Sequence, residues 1–99
     1  AMDIARSIAG ALGHVGVLAV EMFVLRQAQG ESLLVNEIAP RVHNTGHWTI
    51  EGCPLSQFEA HVRAVAGWPV PSTARFADAE MTNLIGADAD TWAMLAAEP

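Results

Sequence analysis

Two glutamates stand inside apolar segments on either side of a polar connector. Glu21 interrupts the run 15–25, which is rich in β-branched residues, and Glu37 interrupts the shorter run 33–38. Both runs predict strands, the first buried on both faces for most of its length. The connector 26–32 is short enough to predict a hairpin. Because a buried carboxylate is costly unless it is paired or neutralised, the two glutamates restrict how these strands can be arranged.

A hairpin that is symmetric about Gln29 places Glu21 directly opposite Glu37. The same symmetry pairs the next residues towards the turn, Phe23 with Val35 and Leu25 with Leu33. Carboxylates that face each other across two strands repel, but their converging oxygens also suit a hard divalent cation such as magnesium. Spacing alone leaves a second interpretation open, in which one glutamate lies on an exposed face or pairs with an arginine (Arg6, Arg41 or Arg63).

The segment 40–49 collects polar side chains directly after the second glutamate. Arg41 offers a bidentate fork for phosphate or carboxylate, and His43 can donate to an anion or transfer a proton near neutral pH. The residues 44–46 suit a turn whose backbone amides face an anion. An anion loop beside a carboxylate pair is the arrangement that phosphoryl transfer needs, since positioning and charge neutralisation carry most of that chemistry.

Helical periodicity predicts a helix over 3–12, with Asp3 as its cap and Gly13 as its end. A second helix is predicted over 55–66, where Ser56 and Glu59 form a capping-box pattern. Its predicted inner stripe consists of Phe58, Val62 and Val65, and Gly67 ends it.

The remaining segments predict an ordered loop over 39–54, a last strand over 81–85 and a short final helix over 91–95. Trp68 and Trp92 are expected to anchor the terminal segments. Together these elements predict the α+β class, with an antiparallel sheet flanked by helices.

Composition excludes several classes of function. The net charge of −6 and only five basic side chains, all arginine, argue against nucleic-acid binding. We expect no membrane segment, since no charge-free apolar run reaches the roughly 20 residues of a spanning helix, and no secretory signal. The single Cys53 allows no internal disulfide and does not suggest a zinc site. These features predict a cytoplasmic protein.

Apolar residues make up 52% of the 99 residues, and the mean hydropathy is +0.26. A chain of this length has a modest core. We therefore expect more apolar surface than the chain can bury by itself, covered by a second copy in a homo-oligomer or by further domains of a larger protein.

The sequence VNEIAPRVHNTGHWT at 35–49 is very similar to the motif of carboxyaminoimidazole ribonucleotide synthetases, which belong to the ATP-grasp superfamily. The segments 16–24, 56–65 and 81–86 also resemble that family, so the likeness extends over about 4–86. Thr45 stands where serine is expected more often, an exchange of one hydroxyl for another.

This resemblance implies an enzyme of purine biosynthesis. The family uses ATP to activate bicarbonate as carboxyphosphate and carboxylates the amine of aminoimidazole ribonucleotide, releasing ADP and phosphate. Glu21 and Glu37 match the magnesium–ATP ligands, and Asn36 lies at the same site. Three loop residues match the surroundings of the transferred phosphate and bicarbonate: Arg41, His43 and Asn44.

The resemblance also implies that residues 1–99 form only the later part of an ATP-grasp domain, with 87–99 peripheral. The family's amino-terminal domain, its adenine-binding subdomain with phosphate-contacting lysines and its basic tail have no counterpart here. We therefore expect a fragment that does not catalyse alone. Two alternatives stay open: the formate-dependent ribonucleotide transformylase of the same superfamily, and a catalytically inert module that self-associates.

Overall fold

The computed structural model describes residues 1–28 and 30–97. Its elements follow the order α1 (Met2–Leu12), β1 (Ala19–Gln27), β2 (Gly30–Ala39), α2 (Thr49–Gly52), α3 (Gln57–Val65) and α4 (Trp92–Leu95), with 3-10 turns at Asn44–Gly46 and Gly86–Thr91. In the described residues the sheet has two antiparallel strands. The predicted α+β class is confirmed. None of the described helices is long and apolar enough to cross a lipid bilayer.

Helix α1 ends at Gly13, as predicted. Gly13 has the left-handed φ of 57°, and its N–H donates to the carbonyl of Gly10 at 3.1 Å. The predicted cap at Asp3 is wrong, because the helix begins one residue earlier and Asp3 lies inside its first turn. There the Asp3 carboxylate accepts a hydrogen bond of 3.2 Å from Arg6, and both side chains are exposed.

The hairpin confirms the predicted Glu21–Glu37 pair and corrects the predicted register between that pair and the turn. Glu21 pairs with Glu37, but a bulge follows, so that Met22 pairs with Val35. The expected Phe23–Val35 and Leu25–Leu33 pairs are wrong, since one extra residue on β2 shifts the pairing. Strand β1 also begins later than predicted and is half-buried or exposed instead of buried on both faces.

Helix α3 begins at Gln57, two residues later than predicted, with the predicted Ser56 as its cap. The Ser56 hydroxyl accepts from the Glu59 N–H at 3.3 Å, but the Glu59 carboxylate binds Arg63 at 2.7 Å instead of completing a capping box. The predicted inner stripe is wrong, since Val62 is 60% exposed and the other stripe residues are exposed as well. Trp68 and Trp92 are also exposed, which contradicts their expected role as anchors.

The later part of the chain forms less regular structure than predicted. The expected strand over 81–85 is absent, because no neighbouring strand is available to pair with it in the described part of the chain. The 3-10 turn Gly86–Thr91 leads into α4, so the final short helix is confirmed. The predicted loop 39–54 is ordered by a 3-10 turn and by α2.

The core is small and lies where the loop after β2 meets the start of α3. Its buried residues are Ala39, Gly52, Cys53, Leu55 and Gln57. The accessible surface is 7425 Å², against about 5,400 Å² for a compact protein of this mass. The radius of gyration is 16.5 Å, against about 13 Å for a compact domain of this length. The fold therefore leaves much apolar surface uncovered.

Candidate functional site at the base of the hairpin

The carboxylates of Glu21 and Glu37 face each other at the end of the hairpin that lies away from its turn. The bulge comes directly after this pair and makes Asn36 the extra residue of β2. The Asn36 Nδ2 donates to Glu21 Oε2 at 3.4 Å. The bulge thus brings an amide to the carboxylate pair, which is a common use of bulges near functional sites.

His43 lies against the same pair. Its Nε2 is 3.5 Å from Glu21 Oε1 and 3.7 Å from Glu37 Oε1. The imidazole is 12% exposed, whereas the side chains of Glu21 and Glu37 are 38% and 51% exposed. The imidazole therefore covers the inner side of the pair, and the carboxylates stay open to solvent on their other side.

The hydrogen bonds of the His43 ring assign its tautomer. The Thr45 backbone N–H donates to His43 Nδ1 at 3.4 Å, and Thr45 Oγ1 lies 3.0 Å from the same nitrogen. A neutral imidazole whose Nδ1 accepts carries its proton on Nε2. That N–H is directed at the two carboxylates, so the ring can donate to them.

The backbone of His43 is held by Gln57, a residue that the sequence analysis missed. The His43 N–H donates to Gln57 Oε1 at 2.9 Å, and Gln57 Nε2 donates to the His43 carbonyl at 2.7 Å. The signal that could have found it is a polar side chain in the first turn of a helix, next to the cap Ser56. The sequence alone does not show that this side chain is buried or where it points.

The other predicted site residues lie at the edge of this cluster. Arg41 is exposed, and its Nη1 donates to the Val42 carbonyl at 3.0 Å. Asn44 begins the 3-10 turn, and its carbonyl accepts from the His47 N–H at 3.1 Å. The structure therefore brings Glu21, Asn36, Glu37 and His43 together but gives Arg41 and Asn44 no hydrogen bond to them.

An open cavity of about 280 Å³ adjoins the cluster. It lies between the start of β1 and the loop, and Glu21, His43, Thr45, Trp48 and Gln57 are among its lining residues. The Trp48 ring is closely packed, because a Cβ added at Gly52 would lie 2.9 Å from it. The cavity is thus lined by a few polar side chains among apolar ones, which is the usual character of a ligand site.

The carboxylate pair offers two oxygen-bearing side chains to a cation. Among residues 1–28 and 30–97, no three His, Cys, Asp or Glu side chains are grouped to hold a metal by themselves. Magnesium is commonly held by one or two carboxylates, with water and substrate phosphates as its remaining ligands. The donor set present here fits that pattern and does not fit a site made of protein ligands alone.

Comparison with known proteins gives consistent matches. The model of the ATP-grasp domain family matches residues 1–58. The N5-carboxyaminoimidazole ribonucleotide synthase of Brucella melitensis is 55% identical over 84 residues, which cover 85% of this chain and 22% of that protein. The chain thus spans about a fifth of the length of that curated relative.

Two solved structures with similar names also match this chain in fold. The N5-carboxyaminoimidazole ribonucleotide synthetase of Thermotoga maritima has a TM-score of 0.65 and 52% identity, covering 74% of this chain and 19% of that chain. The carboxyaminoimidazole ribonucleotide synthase of Aspergillus clavatus, solved in complex with ATP, has a TM-score of 0.64 and 47% identity, covering 73% of this chain and 18% of that chain.

Proposed function

Because this chain belongs to the ATP-grasp family, we propose that it supplies the metal-binding part of the ATP site of an N5-carboxyaminoimidazole ribonucleotide synthase. The observation that carries this proposal is the Glu21–Glu37 pair, with Asn36 and His43 gathered against it. The whole reaction converts aminoimidazole ribonucleotide, bicarbonate and ATP to the carboxyamino nucleotide, ADP and phosphate. Residues 1–99 would be the later part of the ATP-grasp domain, with 87–99 peripheral, in a cytoplasmic protein.

Glu21 and Glu37 are the residues that would hold magnesium. Their carboxylates are opposed in register and open to solvent, so their oxygens can approach one cation. When bound, the cation would neutralise charge on the phosphates of ATP. The mutual repulsion of the two carboxylates is relieved by the same event, so the site should favour the cation-bound state.

His43 and Arg41 are the groups that would face the transferred phosphate and bicarbonate. The Nε2–H of His43 is held beside the pair, where it can donate to an oxyanion next to the cation. Arg41 lies two residues before His43, and the guanidinium is exposed, so it can turn towards the same anion. Asn44 adds an exposed amide at the start of the 3-10 turn.

The uncovered apolar surface supports the proposal that the chain works within a larger assembly. Phe23 and Leu34 are paired on the hairpin and are 55% and 54% exposed. Such residues cost free energy when they stay in water. In the complete enzyme, further parts of the protein would cover them, and in the isolated chain we expect a second copy to do so.

A segment exchange tests the proposed function. The 84 matched residues of this chain would replace their counterparts in the Brucella melitensis relative, and phosphate release would be measured with ATP, aminoimidazole ribonucleotide and bicarbonate. We expect the chimera to carboxylate, and the same chimera with Glu37→Gln to lose about 100-fold or more in rate. Equal rates for the two chimeras would contradict the assigned site.

The transformylase alternative is addressed with the full-length protein that contains this chain. Phosphate release would be measured with formate in place of bicarbonate and with the ribonucleotide substrate of that enzyme class. We expect no formate-dependent phosphate release. Consumption of formate in preference to bicarbonate would favour the transformylase.

A further inference from the structure

We propose that Gln57 is a positioning residue that fixes the His43 imidazole against the Glu21–Glu37 pair. This inference rests on the proposed function for the chemical meaning of that placement. Gln57 contacts neither carboxylate in the described hydrogen bonds, and it acts only through the backbone of His43.

The first observation is the two-point contact of the Gln57 amide with a single residue. Gln57 Oε1 accepts from the His43 N–H, and Gln57 Nε2 donates to the His43 carbonyl. The amide group of a glutamine side chain presents a hydrogen-bond donor and an acceptor next to each other, as a peptide group does. The contact therefore fixes both backbone dihedrals of His43, which is extended at φ −135° and ψ 152°.

The second observation is that Gln57 is itself held in place. Gln57 is buried, with only 6% of its surface exposed. Its backbone N–H donates to Thr49 Oγ1 at 2.9 Å, and that hydroxyl donates to the Gly46 carbonyl at 2.6 Å. Gln57 thus joins the start of α3 to both ends of the turn that follows His43.

The third observation is the lack of space between Gln57 and Gly46. A Cβ added at Gly46 would lie 2.4 Å from Gln57 Oε1 and 2.8 Å from its Cδ. Real Cβ atoms essentially never approach so closely, and the amide cannot move aside without losing its bonds to His43. The Gln57 amide therefore occupies space that only a glycine at position 46 leaves free.

These contacts serve the one residue whose ring meets the carboxylates. An apolar side chain of similar volume could fill the space under the loop but could not satisfy both polar groups of His43. A buried peptide group without a partner is costly. Without the Gln57 amide, the loop around His43 would rearrange so that the His43 peptide groups bind water. The His43 ring would then move away from the Glu21–Glu37 pair.

The test measures by NMR how far Glu21→Gln changes the chemical shift of the His43 ring, on the 99-residue chain without metal and at one fixed pH. This chemical-shift effect is the Glu21–His43 coupling. In the parent chain, Glu21→Gln removes a charge 3.5 Å from Nε2, so the Cε1–H resonance of His43 should shift. The resonances of His14 and His61, which lie elsewhere, provide internal references. In a Gln57→Met background we expect the shift of His43 caused by Glu21→Gln to fall to the level of those references.

Ser56→Ala is the matched control. It removes the hydroxyl that accepts from Glu59 and so weakens the same end of α3, but it leaves the Gln57–His43 bonds in place. The coupling should persist in this background, so its loss would mean that general loosening of α3 is responsible and would overturn the proposal. Gly46→Ala is a second variant, which displaces the amide without changing it and should also abolish the coupling.

The readout separates this inference from the proposed function. An undiminished coupling in the folded Gln57→Met and Gly46→Ala chains would overturn the positioning role, whether or not the chain binds magnesium. Absence of any coupling in the parent chain would overturn it as well. If coupling disappears as expected but the chain binds no magnesium, the positioning role stands and the proposed function fails.

Discussion

Glu21 and Glu37 are directly opposed across β1 and β2, and the register shifts by one residue immediately after them. Two like charges in this arrangement are unfavourable by themselves. Two donors lie beside these carboxylates. The Asn36 amide is 3.4 Å from Glu21, and the His43 Nε2 is 3.5 Å from Glu21 and 3.7 Å from Glu37. The pair therefore has hydrogen-bond donors on its inner side, and Glu21 lines the adjoining cavity.

Replacing the Asn36 amide by a carboxylate should make stability depend more strongly on divalent cations. Asn36→Asp removes the donor to Glu21 and adds a third negative charge, which should lower the free energy of unfolding of the metal-free chain by about 0.5–1 kcal/mol. Magnesium should restore stability in this variant more than in the parent chain. Thermal unfolding with and without magnesium measures both effects, and an unchanged response to magnesium would count against a cation at this place.

Gly46→Ala should destabilise the chain because the new methyl group would displace the buried Gln57 amide. We expect a loss of about 1–3 kcal/mol. Gly10→Ala is the matched control, since Gly10 lies within α1 with nothing near its added Cβ. That variant should gain about 0.5–1 kcal/mol. Chemical denaturation of both variants gives the comparison, and a neutral Gly46→Ala would show that the loop can yield.

A hydrogen bond to His61 connects the loop that precedes β1 to α3. Its Nδ1 accepts from the Val17 N–H at 3.1 Å, and a Cβ at Gly16 would lie 2.7 Å from the same nitrogen. His61→Phe keeps a ring but removes the acceptor, so it should cost about 1–3 kcal/mol by leaving the amide without a partner.

Hydrogen exchange at the Val17 amide provides the measurement for His61→Phe, and it should be faster than in the parent chain. Val62→Ala, a change at an exposed position of the same helix, should alter stability by less than about 0.5 kcal/mol. Unaltered exchange at Val17 in His61→Phe would mean that the hydrogen bond does not hold the loop.

The exposed apolar side chains in the middle of the hairpin should cause self-association of the isolated chain. Sedimentation at several protein concentrations should show a rising average mass. Phe23→Lys, which places a charge on the exposed Phe23–Leu34 pair, should reduce association, whereas Val65→Lys on α3 should change it less. A strict monomer at all concentrations would contradict this prediction.

Part of the site was predictable because local patterns encode it. Isolated charges in apolar strands located Glu21 and Glu37, and counting from the middle of the connector paired them correctly. The same counting failed between this pair and the turn, because a bulge adds one residue to β2 without a marker in the sequence. The failure matters chemically, since the extra residue is Asn36.

Other features depend on contacts that no local pattern records. Gln57 lies 14 residues from His43, and its role is visible only when the loop folds back on α3. The stripe of α3 has helical spacing but remains exposed, because periodicity predicts a face and not the element that covers it. The strand expected over 81–85 fails for a related reason, since a strand needs a neighbour.

Titration of the 99-residue chain with magnesium, followed by calorimetry, tests the central claim most directly. We expect weak but saturable binding, with Kd on the order of 1 mM. Glu37→Gln should abolish it, because one of the two carboxylates is lost. Glu31→Gln makes the same change about 20 Å further along β2, where Glu31 pairs with Arg26, and should leave binding unchanged. Equal affinity in the parent chain and in Glu37→Gln would contradict the assignment of the carboxylate pair as the magnesium site.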